Sequence, residues 1–152
     1  MTGNASKPID PTMQPGFFLD QHFLTDLSFE SPRGPVPAKE CENIQKKLEA
    51  EVTTKETEGS DMVLLNLTLE AKYQQRTAFL CEITYCAYVT MNNIPEQVKS
   101  QILNVSVPIS LIPFLNNAID HAAKAAGYPG INISHIDFQK IFQEKTSGQP
   151  IH

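Results

Sequence analysis

Four histidines and three cysteines, with a few serines, are the residues here whose types could support metal, redox or acid–base chemistry. Their spacing argues against it. His22, His121, His135 and His152 are too scattered to make a ligand set, and no H-E-x-x-H occurs. His22 and His152 fall in segments expected to be mobile, and His121 falls on a helix. Asp120-His121 sets an acid beside a base, but adjacent helical positions diverge by about 100° and do not face each other. Ser106 and Ser110 have no base and orienting group nearby to activate them. Neither G-x-x-x-x-G-K-[ST] nor G-x-G-x-x-G is present, and no glycine lies between Gly59 and Gly127 to cradle a phosphate. The expectation is a protein that is not an enzyme, with no catalytic residue, cofactor or bound metal.

An odd cysteine count does not suit a disulfide framework. Cys81 and Cys86 are five positions apart, so in a regular strand they point to opposite sides. Cys41 is alone in a loop. Buried free thiols are expected.

With 152 residues, 41% of them hydrophobic and 19% charged, the chain suits one folded domain. Its formal charge is −5, from 12 Lys and Arg against 17 Asp and Glu. That balance argues against nucleic acid or an anionic membrane as the main partner. The doublet Lys46-Lys47 suits a solvated face. No basic segment followed by an apolar run opens the sequence, so no signal peptide is expected. The stretch Val105 to Leu115, interrupted by Ser106, Pro108, Ser110 and Pro113, is short of the roughly 20 residues of a membrane span. Cytoplasmic residence without membrane insertion follows as the expectation.

The elements come in two blocks. Residues 1–18, with three prolines and two glycines, read as a flexible N-terminal arm. Period-two alternation predicts strands over Phe23–Glu30, Ile44–Val52, Asp61–Ala71 and Thr77–Met91. In the first, Phe23, Leu27 and Phe29 share one face, and Leu24, Asp26 and Glu30 share the other. The second points Ile44, Leu48, Ala50 and Val52 inward, and the third Val63, Leu65, Leu67 and Leu69. Pro32, Pro35 and Pro37 make SPRGPVPAK an extended crossover that lets the first strand pair elsewhere in the sheet; TTKETEGSD reads as a polar turn. Then the period changes. Pro95 opens a short helix over PEQVKSQILN. A longer one runs from about Pro108 to Ala126, with Ile112, Leu115, Ile119, Ala122 and Ala126 as its apolar stripe and Pro113 either kinking it or in its first turn. Gly127 ends it. Asp137 caps a last helix, FQKIFQEK. Residues 19–145 form the domain, and 146–152 a flexible tail. Strands followed by helices define an α+β fold with a four-stranded antiparallel sheet.

Within the fourth strand, TAFLCEITYC sends Phe79, Cys81, Ile83 and Tyr85 one way and Ala78, Leu80, Glu82 and Thr84 the other. The second face sets a large apolar residue beside a carboxylate. If the first and fourth strands are neighbours, Leu24, Asp26, Glu30, Leu80 and Glu82 form one patch with an apolar centre and an acidic surround.

LTDLSFESP at 24–32 and TAFLCE at 77–82 resemble the first strand and the most recognisable strand of the SecB family of protein-export chaperones. Gly127-Tyr128-Pro129 followed by INISHIDFQKIF resembles the same family's C-terminal portion, so the likeness spans about residues 23 to 142. It implies a SecB-like fold, with a long helix and a C-terminal helix packed on one face of the sheet. It also implies a homotetramer, a dimer of dimers with the long helices between dimers and the sheets outside. Such a protein holds secretory precursors unfolded without ATP and passes them to the motor ATPase SecA. The resemblance implies SecA docking on Asp26, Glu30, Leu80 and Glu82, and an oligomer interface on the side of Cys81, Ile83 and Tyr85. It implies a client groove involving Val36, Leu48, Ile131 and Phe142. Zinc in that system belongs to SecA, so none is expected here. Two departures stand out: the crossover PVPAKEC has no Trp, and EKTSGQPIH lacks the acidic tail that assists SecA contact, which implies weaker tail docking. Two other readings remain open at this point: a SecB-like chaperone of a toxin–antitoxin pair, and a ligand-binding or enzymatic α+β domain using the same sheet.

Overall fold

The computed structural model describes residues 14–57, 59–133 and 135–147. Four strands, β1 (Gly16–Glu30), β2 (Gln45–Thr57), β3 (Ser60–Tyr73) and β4 (Arg76–Asn92), form one antiparallel sheet in the order β1-β4-β3-β2. Tight turns join the last three. Gly59, at φ 86, turns β2 into β3. Gln74 and Gln75, at φ 53 and 65, turn β3 into β4 with the left-handed backbone that suits the twist of a hairpin. The proline-rich crossover and a 3₁₀ turn at Ala38–Asn43, which contains Cys41, carry the chain from β1 to the far edge. The crossover leaves β1 free to pair away from β2, and the strand it pairs with is β4.

The strands are longer than their alternation suggests. β1 begins at Gly16, so Gly16, Phe17 and Phe18 belong to the sheet and not to the arm, and His22 lies within a strand; residues 1–13 of the arm and 148–152 of the tail lie outside the described residues. TTKETEGSD is mostly strand: Thr53, Thr54 and Lys55 pair with Leu64, Val63 and Met62. An edge strand tolerates such polar residues, because ladder bonds to one neighbour hold it whatever its side chains.

The register of β1 shifts twice, between Leu19 and Gln21 and between Leu24 and Asp26. Each bulge inserts one residue and reverses the facing of what precedes it. Phe23 is consequently opposite Cys86, and Leu24 opposite Tyr85. Because opposed residues share a face, Phe23 joins Asp26 and Glu30, while Leu24 turns to the helix side. Simple alternation gives the reverse assignment for both.

The two expected helices are one continuous helical run, α1 (Glu96–Gln101), a π turn (Ile102–Ser106) and α2 (Val107–Ala125). The Val107 N–H reaches back five residues to the Ile102 carbonyl, and Pro108, which has no N–H to give, follows immediately. The π turn absorbs that missing donor without breaking the helix. The run spans 30 residues, so by length and composition it could cross a membrane, contrary to the expectation from Val105–Leu115 alone; 44% of its most apolar window is buried inside the protein. Its buried stripe is Leu111, Leu115, Ile119 and Ala123, spaced by four. Ile112, Ala122 and Ala126 of the expected stripe are half-buried beside it. Pro113 lies inside the helix.

These residues close over Val63, Leu65, Leu67 and Leu69 of β3 and Phe79, Cys81, Ile83 and Val89 of β4 in one core. Gly127, at φ 94, ends α2, and the Tyr128 N–H returns 2.9 Å to the Ala123 carbonyl. Asp137 caps α3 (Phe138–Thr146) by accepting from the Lys140 N–H at 3.0 Å.

Candidate functional site

The sheet has one face beneath the helices and one bare. On the bare face β1 and β4 pair Asp26 with Thr84, Ser28 with Glu82, and Glu30 with Leu80. Of the five residues expected to form a patch, Asp26, Glu30, Leu80 and Glu82 are thus brought together on two adjacent strands, while Leu24, turned by the bulge to the side of Tyr85, is not among them. Opposed side chains of an antiparallel pair have Cβ atoms about 5 Å apart. β3 adds Glu70, opposite Leu80 from the other side. Leu80 is therefore half-buried between two carboxylates, with Asp26, Glu30 and Glu82 exposed around it. Glu70 could be read from the sequence only as an outward residue of the third strand; its place beside Leu80 depends on register.

The helix side holds Cys81, Ile83 and Tyr85. Cys81 and Ile83 are each 1% exposed within a single chain and Tyr85 is buried. Within one chain they are core residues beneath the helices, so they could support an oligomer interface on that side only from below. The Cys81 thiol is pushed up to about 11, first by burial and then by the Glu82 charge. Burial also raises Tyr85 and Cys86. The Tyr85 hydroxyl is 2.7 Å from His22 Nδ1, and Phe114 of α2 packs on both rings. The surface on this side carries instead Ile109 and Phe114 of α2 and Val98 of α1, all exposed.

Of the four client-groove residues, Val36 and Ile131 are buried in the core, while Leu48 and Phe142 are half-buried against it. The scaffold around them is tied down by polar clips. The Ser31 hydroxyl donates to the Ala78 carbonyl and lies 3.1 Å from the Tyr128 hydroxyl, and Arg33 donates to the Thr77 carbonyl, fixing the crossover to the start of β4. Asp120 and Asn116 of α2 accept from the Ile131 and Ile133 N–H groups at 3.0 and 2.8 Å. The hydrogen bond from Lys124, and after it that from the Ile131 N–H, hold the Asp120 carboxyl below its ordinary range. Lys145 of α3 donates to the Val52 carbonyl of β2 at 2.8 Å. Between α2 and the segment leading into α3 lies an apolar cavity of about 290 Å³ whose lining includes Ile109, Pro113, Ile133, His135 and Phe138. The pattern of the sequence does not reveal it, because its walls come from separate elements.

Among the described residues no group of three His, Cys, Asp or Glu side chains converges as a metal site, and the three thiols are free. The arrangement is that of an α+β binding scaffold, with an acidic face on one side and apolar surface on the other. The chain belongs to the SecB family: the model for the preprotein translocase subunit SecB matches residues 10–149. It is 30% identical over 139 residues to a protein-export protein SecB from Paraburkholderia phymatum, covering 90% of this chain and 88% of the relative. It is 26% identical over 140 residues to that of Chromobacterium violaceum, covering 90% and 92%. Among solved structures it resembles a SecB-like chaperone of Mycobacterium tuberculosis in complex with a ChAD peptide from an antitoxin, with TM-score 0.66, 12% identity, and coverage of 80% of this chain and 91% of that one. The fold is SecB-like and the family is one of chaperones, not of enzymes.

Proposed function

We propose that this protein is an ATP-independent holdase of the cytoplasm that keeps secretory precursors unfolded and delivers them to SecA. The observation that carries the reading is the bare face on which Glu30 lies across from Leu80 with Asp26 and Glu82 beside it on the same two strands. Carboxylates there steer a basic partner and set its register, and the leucine supplies area that loses water on contact. SecA docks on Asp26, Glu30, Leu80 and Glu82. Clients bind by many weak apolar contacts on the helix side, where Phe142 and Leu48 are accessible in part. Val36 and Ile131, being buried, shape that surface from beneath.

The working unit is a homotetramer. β1 is an edge strand of 15 residues, and a second copy that covered its open backbone groups would remove an aggregation hazard. Exposed Ile109 and Phe114 offer α2 a further apolar contact.

The test is a light-scattering mass, an aggregation assay with a refolding secretory precursor, and a SecA titration. A tetramer that suppresses aggregation and binds SecA is expected. Phe142→Ala should weaken suppression several-fold while leaving SecA binding intact. A monomer that neither protects the precursor nor binds SecA overturns the proposal.

A further inference from the structure

The bare face does not end at its acidic patch. Cys86 is only 3% exposed although it points away from the helices. What surrounds it on that face is Phe23, opposite it on β1, and Leu64, opposite it on β3. Tyr88, two positions along, packs its ring 6.2 Å from that of Phe23 and faces Met62. Phe18 continues the same face opposite Thr90 and is 54% exposed; Phe23 is 38% exposed. The second bulge of β1 is what puts Phe23 here, on the same side as Asp26 and roughly 7–10 Å from it along the strand.

We propose that this aromatic patch (Phe18, Phe23, Leu64 and Tyr88) and the acidic patch are two halves of one docking surface, which takes a basic segment of SecA carrying a bulky apolar side chain. The inference rests on the reading that SecA binds this face. Charge complementarity selects the occupant. Among the described residues Asp26, Glu30 and Glu82 are in no ion pair; of the lysines on the same face, Lys47 and Lys72 are engaged by Glu49 and Glu70, and Lys55, opposite Met62, lies on the far edge strand away from the acidic cluster. An uncompensated negative cluster beside exposed aromatics suits a ligand both cationic and apolar. A second copy laid face to face would set like charges together. The acidic half governs the rate and salt dependence of association, and the aromatic half governs how long the complex lasts.

The test is calorimetric titration of the intact protein with purified SecA at low and high salt. Phe23→Thr keeps a residue that favours strand and is expected to weaken binding at least tenfold with the salt dependence of the parent. Phe18→Thr, at a mostly exposed position, is expected to weaken it at least threefold and serves if Phe23→Thr fails to fold. Glu82→Lys should weaken binding and flatten the salt dependence. SecA binding by both threonine variants within twofold of the parent overturns the inference while the acidic docking reading stands. A fall in assembly mass in either variant also overturns it, since the patch would then join copies of the chain. Failure of the parent protein to bind SecA overturns both readings together.

Discussion

Glu30 sits directly across from Leu80 in the pairing of β1 with β4, and Glu70 faces the same leucine from β3. An apolar side chain held between two carboxylates and only half-buried keeps part of its surface in water. It makes sense as a contact that completes its desolvation when a partner arrives.

Reversing one charge on this face should separate SecA docking from client holding on the other side. Glu82 is exposed and outside the core, so Glu82→Lys is expected to leave thermal stability within about 0.5 kcal/mol of the parent. SecA affinity should fall about tenfold or more, with suppression of precursor aggregation unchanged. Parallel titration and aggregation assays check this; equal loss in both would place the effect in the fold.

The crossover depends on a close approach at the end of α2. A Cβ on Gly127 would lie 2.9 Å from Pro35 Cγ, and the backbone there is at φ 94. Gly127→Ala should cost about 1–2 kcal/mol in urea unfolding. It should also speed hydrogen exchange near Ser31–Val36. The same substitution at Gly16, which has open space around its Cα, should have a smaller effect.

Stability should fall on the alkaline side. Cys81 moves from an ordinary value of 9.0 to about 11 in the folded protein, so the native state holds this proton more tightly than the unfolded chain does. The resulting stabilisation is complete below pH about 9 and is lost as pH rises through about 11, an effect on the order of 2 kcal/mol. Urea titrations between pH 8 and 11 measure it, and Cys81→Ala should remove most of the slope. Below pH 9 a thiol reagent should modify Cys41 first, because Cys81 and Cys86 are buried.

The acid side has its own signature. The Asp120 carboxyl is held low by Lys124 and by the Ile131 N–H. Its contribution is present above the ordinary carboxylate range and is lost as pH falls through the depressed native value. Asp120→Ala should therefore expose the Ile131 amide to faster exchange at neutral pH, and should flatten the acid limb of the stability curve. NMR exchange at Ile131 checks the first expectation and acid titration the second.

Much of the architecture was legible because strands and helices impose periods on their residues. The inward set Val63, Leu65, Leu67 and Leu69, the Gly127 stop and the Asp137 cap all stand as local signals read them. The opposed facing of Cys81 and Cys86 also stands. Misreadings came where a local signal met a longer-range constraint. Proline at 108 suggested a new helix, yet the π turn carried the old one through it. The polar run at 53–57 suggested a turn, yet pairing with β3 kept it in the sheet.

The sequence by itself determined the order of elements, the two-sidedness of β4 and the membership of Leu80 and Glu82 in one face, since side-chain alternation is a property of the chain alone. Only the tertiary structure decided which strands lie side by side, that Glu70 joins Glu30 around Leu80, and that Phe23 rather than Leu24 shares their face. Register and bulges are set by the ladder between strands, and a ladder needs two partners, neither of which carries the answer in its own spacing.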